Sequence, residues 1–180
     1  MISESSAFHA AIFDALCACL NLSAAEGIKL IHEAYAEPEN TPRPPRNRNV
    51  IYWTVMQDPA SDPVSTEYSS EAGNSGSHTP TVCTTLKYRL IIVCYGPAAE
   101  EYAQRIRSML FLDGSGFPRR ILREAGIFPV PDPPQPAILY EEEGSLWRKR
   151  ADLTVSLRVR EEQRAQCWGA IQSAPAVIFH

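Results

Sequence analysis

The sequence predicts an α+β domain: an antiparallel (mixed) sheet of about four strands with helices packed on one face. Three observations predict it. Residues 147–159 alternate, with Trp147, Ala151, Leu153, Val155, Leu157 and Val159 on one side and Arg148, Arg150, Asp152, Thr154, Ser156 and Arg158 on the other, as a strand with one core face and one wet face requires. Residues 81–95 read as a second strand, apolar on both faces from Leu90 onward, which fits an end in the middle of a sheet. Between them Ala99, Tyr102, Ala103, Ile106, Met109 and Leu110 recur at helical spacing. A strand, a helical excursion and further strands give helices packed on a sheet.

From the N-terminus, Phe8, Ile12, Ala15, Leu16, Cys19 and Leu20 form a helical stripe over residues 3–21. Ser23 and Glu26 have the form of a capping box, in which each side chain satisfies the other residue's free backbone N–H. A second helix is expected after it, with Ile28, Ile31, Ala34 and Tyr35 on one face, ending before Pro38. Residues 1–37 thus read as a helical hairpin. Residues 38–48, with four prolines and three arginines, read as an extended connector. The core domain spans 49–162. It opens on the strand Val50 to Met56 and carries a long polar loop over 58–80, which a protruding hairpin with Glu71 to Gly76 at its tip would also explain. Pro97 suits a helix start, and Asp113-Gly-Ser-Gly ends that helix. A shorter helix is expected from Phe117 to Ala125 with Ile121, Leu122 and Ala125 inward, then a proline-rich extended segment and a strand from Ala137 to Glu142 turning at Gly144. Residues 163–180 form a C-terminal extension in which Ala176 to Phe179 could add an edge strand, to this subunit or a neighbour.

The 180 residues are 44% hydrophobic and 21% charged, ordinary for one folded domain. No apolar run approaches the ~20 residues needed to span a bilayer, and the start has no basic-then-apolar leader pattern. The net charge of −4 counts against sequence-independent DNA binding, which needs a basic surface; it is compatible with an acidic channel that lets DNA pass. Five cysteines without a CxxC pair read as buried free thiols in a reducing cytosol.

Catalytic patterns are missing. There is no P-loop, no third glycine beside Gly114 and Gly116 for a dinucleotide site, no nucleophile elbow and no zinc-protease helix. None of His9, His32, His78 and His180 is within helical reach of another, and none has an Asp or Glu at metal-ligand spacing. No cofactor or metal is expected. Glu141, Glu142 and Glu143 read as a solvated turn or, in a ring, as an acidic lumen surface. Arg148, Arg150, Arg158 and Arg160 lie among Asp152, Glu161 and Glu162, a mixed charge that suits solvation or ion pairs between subunits more than nucleic acid.

Two segments together, Tyr88 to Ile106 and Leu146 to Val159, resemble phage neck and tail-terminator proteins. In those proteins a strand ends in a Tyr-Gly-x-x-Ala turn before a helix, matched here by Tyr95, Gly96, Ala98 and Ala99. A later strand opens with Trp or Arg and then Arg-x-Asp, matched by Trp147, Arg150 and Asp152. The strand from Tyr52 also resembles the family's first strand, so the resemblance covers roughly residues 48–160. The N-terminal helices are longer than in the smallest members. The resemblance implies a tail-terminator-like fold and a non-enzymatic virion protein, made in the host bacterial cytoplasm. Such proteins form rings, typically hexamers, that cap the tail tube protein, receive the head-completion or connector protein, and let genomic DNA through without sequence-specific binding; no membrane is involved. Glu141, Glu142, Glu143, Arg158 and Arg160 are then candidates for the subunit or lumen interface. Alternatives are the adjacent head-completion (stopper) protein, a small ligand-binding or enzymatic α+β domain whose cleft would place a perturbed His or Glu beside Cys94 or Cys167, and a mixed-charge nucleic-acid adaptor.

Overall fold

A computed structural model describes residues 2–34, 47–58, 65–72, 78–111, 116–143 and 146–164. Along the chain come α1 (Ile2–Leu20), α2 (Ala24–Leu30), β1 (Ile31–Glu33), β2 (Val50–Gln57), β3 (Ser65–Ala72), β4 (His78–Tyr95), α3 (Ala99–Phe111), α4 (Phe117–Glu124), β5 (Ile127–Pro129), β6 (Ala137–Glu143) and β7 (Leu146–Arg164). The spine is the antiparallel pair β4 and β7, in register from Thr81 opposite Arg164 to Tyr95 opposite Arg150. Strands of 18 and 19 residues are some three times the usual ~5–6. Each is long enough to serve several partners in succession. Along one edge of β4 lie β3 and then β2, with β1 beyond β2; along the far edge of β7 lie β6 and then β5. Only β1 runs parallel to its neighbour, so the sheet is mixed.

The helices cover one face. Ile51 and Trp53 of β2, Leu90, Ile92 and Cys94 of β4, and Ala151, Leu153, Val155 and Leu157 of β7 point into the core. There they meet Ile12, Leu16 and Leu20 of α1, Ala103, Ile106 and Leu110 of α3, and Leu122 of α4. This is the α+β class that the alternation in β7 and the stripe in α3 predict. The capping box is formed: Glu26 Oε2 accepts from the Ser23 backbone N–H at 2.9 Å, and the Glu26 N–H donates to Ser23 Oγ at 3.4 Å. Among the described residues no single helix is long and apolar enough to cross a membrane.

Four details differ from the sequence reading. The sheet has seven strand segments, not about four, because the short β5 and the ribbon strand β3 attach to the long spine and the short β1 attaches to β2. The second helix stops at Leu30. Residues 31–33 pair with Ile51 to Trp53, and the Ala34 N–H continues the ladder to Trp53 O at 2.7 Å. Ile31 is buried by that pairing while Ile28 is left 64% exposed. Between 58 and 80, residues 65–72 are a strand paired with 78–85, the hairpin alternative rather than a loop. Ala125 is exposed just past α4, whereas Leu122 is buried and Ile121 packs against the core as expected, joined by Pro118. Most of the 38–48 connector, Cys167, His180 and the extension beyond residue 164 lie outside the described residues.

Within 60–79, the strand 65–72 pairs with residues 78–85 of β4, apart from the stretch 88–95 that pairs with β2. Deleting that segment is expected to leave a folded protein with near-native circular dichroism and a thermal midpoint within a few degrees. Loss of the cooperative transition would show that the β3 ribbon supports the core.

Candidate assembly surface

The turn after β4 is built by backbone demands. The Gly96 N–H donates to Lys149 O at 3.1 Å, ending the β4–β7 ladder, and its φ of +105° is open only to glycine at low cost. Asn49 then takes the place of a helix cap: its Oδ1 accepts from the Ala98 N–H at 3.0 Å. Ala99 is fully buried under the start of α3. The turn residues Tyr95, Gly96, Ala98 and Ala99 therefore hold strand to helix.

On the sheet face away from the helices, Tyr95 lies opposite Arg150 and gathers a charged cluster. Arg150 grips Asp152 with both ends of its guanidinium, at 2.6 and 2.7 Å, and reaches over the Tyr95 ring at 5.7 Å. Arg148 lies over the same ring at 4.5 Å, close enough for a cation–π contact. Burial lifts the Tyr95 phenol above its ordinary value; the Arg150 charge opposes this, and Glu141, the acceptor of its hydroxyl, adds to it. Glu141 is directly opposite Arg148 in the β6–β7 ladder. Tyr95, Arg150, Asp152 and Glu141 are thus brought together.

Trp147 is not part of this cluster, and here the expected facing fails. Trp147 is 67% exposed although it has the parity of the core residues, while Arg148, with the parity of the wet face, is only 7% exposed. The helix layer ends at the level of Lys149, whose Nζ binds Glu100 of α3 at 2.7 Å. Two pairs farther out, Trp147 is opposite Glu142 with β6 as its neighbour. Arg148 remains over Tyr95, and its Nε and Nη2 have no hydrogen-bond partner among the described residues.

The β6–β7 hairpin consequently exposes Leu139 (45%), Tyr140 (63%) and Trp147 beside the exposed Glu141 and Glu142. The Glu143 side chain is outside the description. Arg158 and Arg160 do not join this end. They lie ten and twelve residues along β7 from Arg148, roughly 33–40 Å away at strand rise. Arg158 is flanked across the sheet by Lys87 and by Phe128 of β5, all three exposed. Arg160 donates to Cys83 Sγ at 3.3 Å.

The other candidates for chemistry are limited. His9 Nδ1 and Glu33 Oε1 approach to 2.8 Å, with the His9 ring edge-on to Trp53. They line an open cleft of about 230 Å³ with Ala10 and Phe13. Sequence separation hid this pair: His9 is on α1 and Glu33 on β1. His32 is on β1, not on a helix, and its ring meets Tyr52 at 5.9 Å. Among the described residues no three His, Cys, Asp or Glu side chains could hold a metal. Cys17, Cys19, Cys83 and Cys94 are buried and free. Cys94 is sealed in the core with its thiol pushed up to about 12, chiefly by burial, which leaves no thiolate for nucleophilic work.

These buried groups set an alkaline limit. Burial raises Cys19 and Cys94 from 9.0 to about 12, and burial together with donation to Glu161 raises Tyr88 from 10.0 to about 12. The fold holds each of them neutral. Their contribution is complete below the unfolded values and is lost as pH rises through the folded ones. The thermal midpoint should therefore fall between about pH 9 and about pH 12, less steeply above pH 10 in Tyr88→Phe. A midpoint indifferent to pH across that window would contradict the burial of these groups.

A family model described as phage neck terminator protein matches residues 8–178. No curated protein matches the sequence.

Proposed function

This chain belongs to the phage neck terminator family, and we propose that it works as one subunit of a closed ring that caps the tail tube and joins it to the head connector. The family is one of structural phage proteins, which places the chain in the phage neck, a part of the virion that holds it to other virion proteins. The observation that carries the finer reading is this match, which includes the N-terminal helices as well as the sheet. The surface is compatible with it. Large apolar side chains stand exposed at the β6–β7 hairpin and on β5, on a chain with no metal cluster among its described residues. Exposed groups of this kind mark contacts with other proteins.

In this reading the ring is a hexamer made from subunits synthesised in the host cytoplasm. It stops tube polymerisation, offers the connector its docking surface and lets DNA through without reading it. It catalyses no reaction. A ring needs one surface of each subunit to fit a different surface of the next, with a rotation that closes.

The test is the particle mass in solution and its shape by negative-stain electron microscopy, alone and with purified tail tubes. Rings at tube ends are expected. A chain that stays solitary in both conditions would end the reading. The isolated protein should show no salt-dependent DNA binding.

A further inference from the structure

We propose that two surfaces at opposite ends of β7 mate between successive copies: the acidic, aromatic β6–β7 hairpin tip of one copy seats on the basic row of the next. This deepens the ring reading and rests on it. The tip carries Tyr140, Glu141, Glu142 and Trp147, all exposed. Its basic neighbours are already engaged, Lys149 by Glu100 and Arg150 by Asp152, and Arg148 is buried. The tip therefore presents the Glu142 carboxylate with the Tyr140 and Trp147 side chains on one face, and Glu141 beside Tyr95 on the other.

The receiving surface is on the helix-free face of the sheet. Across β5, β7 and β4, Phe128, Arg158 and Lys87 stand in one row of directly opposite residues. Met56 and Arg89 form the pair next to it, with Met56 51% exposed. Like charges directly opposite in a ladder oppose folding, yet Arg158 and Lys87 occupy such a pair. An acidic partner relieves that repulsion, and Phe128 and Met56 supply apolar surface on which Trp147 or Tyr140 can pack.

The occupant is a second copy of this chain for two reasons. Its own tip has the complementary charge and the matching aromatic character. The two surfaces are also too far apart, roughly 33 Å along β7, for one subunit to satisfy itself. A two-fold contact of tip on tip would set carboxylates against carboxylates. Head-to-tail contact is the arrangement that closes a ring.

A charge-swap experiment on the full chain tests this. E141K/E142K gives a basic tip, and K87E/R158E gives an acidic row. Each variant alone should be folded by circular dichroism and lose the ring by native mass spectrometry. Mixed one to one, they should restore rings with alternating composition and an even subunit number, because each altered surface then meets its complement. If E141K/E142K fails to fold because Glu141 accepts from Tyr95, E142K/W147K leaves that contact intact and replaces it. Rings that persist in either variant alone, or a mixture that stays dissociated, overturn the contact while leaving the ring reading standing. A wild-type chain that never forms rings overturns the ring reading itself and the contact with it. Wild-type binding to DNA that K87E/R158E abolishes without loss of the ring would assign the row to the lumen and also overturn the contact.

Discussion

Leu153→Asp should prevent folding. Leu153 is fully buried on β7, directly opposite Ile92, itself fully buried, beneath the helix layer. Removing the leucyl side chain from such a site costs about 2–5 kcal/mol through lost burial and the space left behind. The new carboxylate adds the cost of an unpaired buried charge, or of its forced protonation, several kcal/mol more. The sum is comparable to the whole stability of a domain this size, about 5–15 kcal/mol. The expected result is loss of the near-ultraviolet circular dichroism signal and of a cooperative melt at 25 °C. Thr154→Asp, one residue on and exposed on the opposite face, should change stability by about 0.5 kcal/mol or less. The contrast between neighbours isolates the face as the cause. A soluble Leu153→Asp protein with native spectra would place β7 the other way round.

Gly96→Val should destabilise the domain by about 3–5 kcal/mol, through a different mechanism. At φ +105° a β-branched residue is strained, which costs about 1–3 kcal/mol. A Cβ there would also lie 2.6 Å from Asn49 Oδ1, 2.8 Å from Arg48 O and 2.9 Å from Asn49 Cα. Two of these are backbone atoms that cannot swing aside, so the start of β2 or the turn must shift. Either movement disrupts the Asn49 bond to the Ala98 N–H and loosens the entry to α3. The denaturation midpoint should fall with an unchanged slope, while Pro97→Ala in the exposed next position has little effect. A Gly96→Val protein as stable as the parent would mean that the turn is not under this constraint.

These two residues show what could be seen in advance and why. Leu153 is part of a period-two pattern, and such a pattern follows from the strand's own geometry, whatever the partner. Gly96 ends an apolar run before a proline, a local stop signal. The same locality explains why the Ser23–Glu26 cap and the α3 stripe were legible. The three-residue strands β1 and β5 were not. Their backbone groups are satisfied by Ile51 to Trp53 and by Leu157 to Val159, partners that no local pattern announces. For Ile31, helical spacing was a misleading cue, because the neighbouring strand offered hydrogen bonds and burial at once.

The candidate surface was legible only in part. Tyr95, Arg150 and Asp152 come together as their shared strand parity allows, but Glu141 joins them through the β6 register, which depends on how a proline-rich segment returns to the sheet. Trp147 and Arg148 illustrate the limit most clearly. Alternation assigns each side chain to a face, yet whether a face is covered depends on where α3 begins relative to β7, and that is marked by Lys149 meeting Glu100.

By itself, the sequence determined the fold class, the two long strands, the faces of their central portions and the helix between them. Those properties arise from hydrophobic periodicity and backbone chemistry within a few residues. The tertiary structure alone decided which strands share an edge, which residues of the right parity stay wet, and that the glutamates and the distal arginines stand at opposite ends of β7. Each of these depends on elements far apart in sequence and on the extent of the helix layer, quantities that no short window of residues contains.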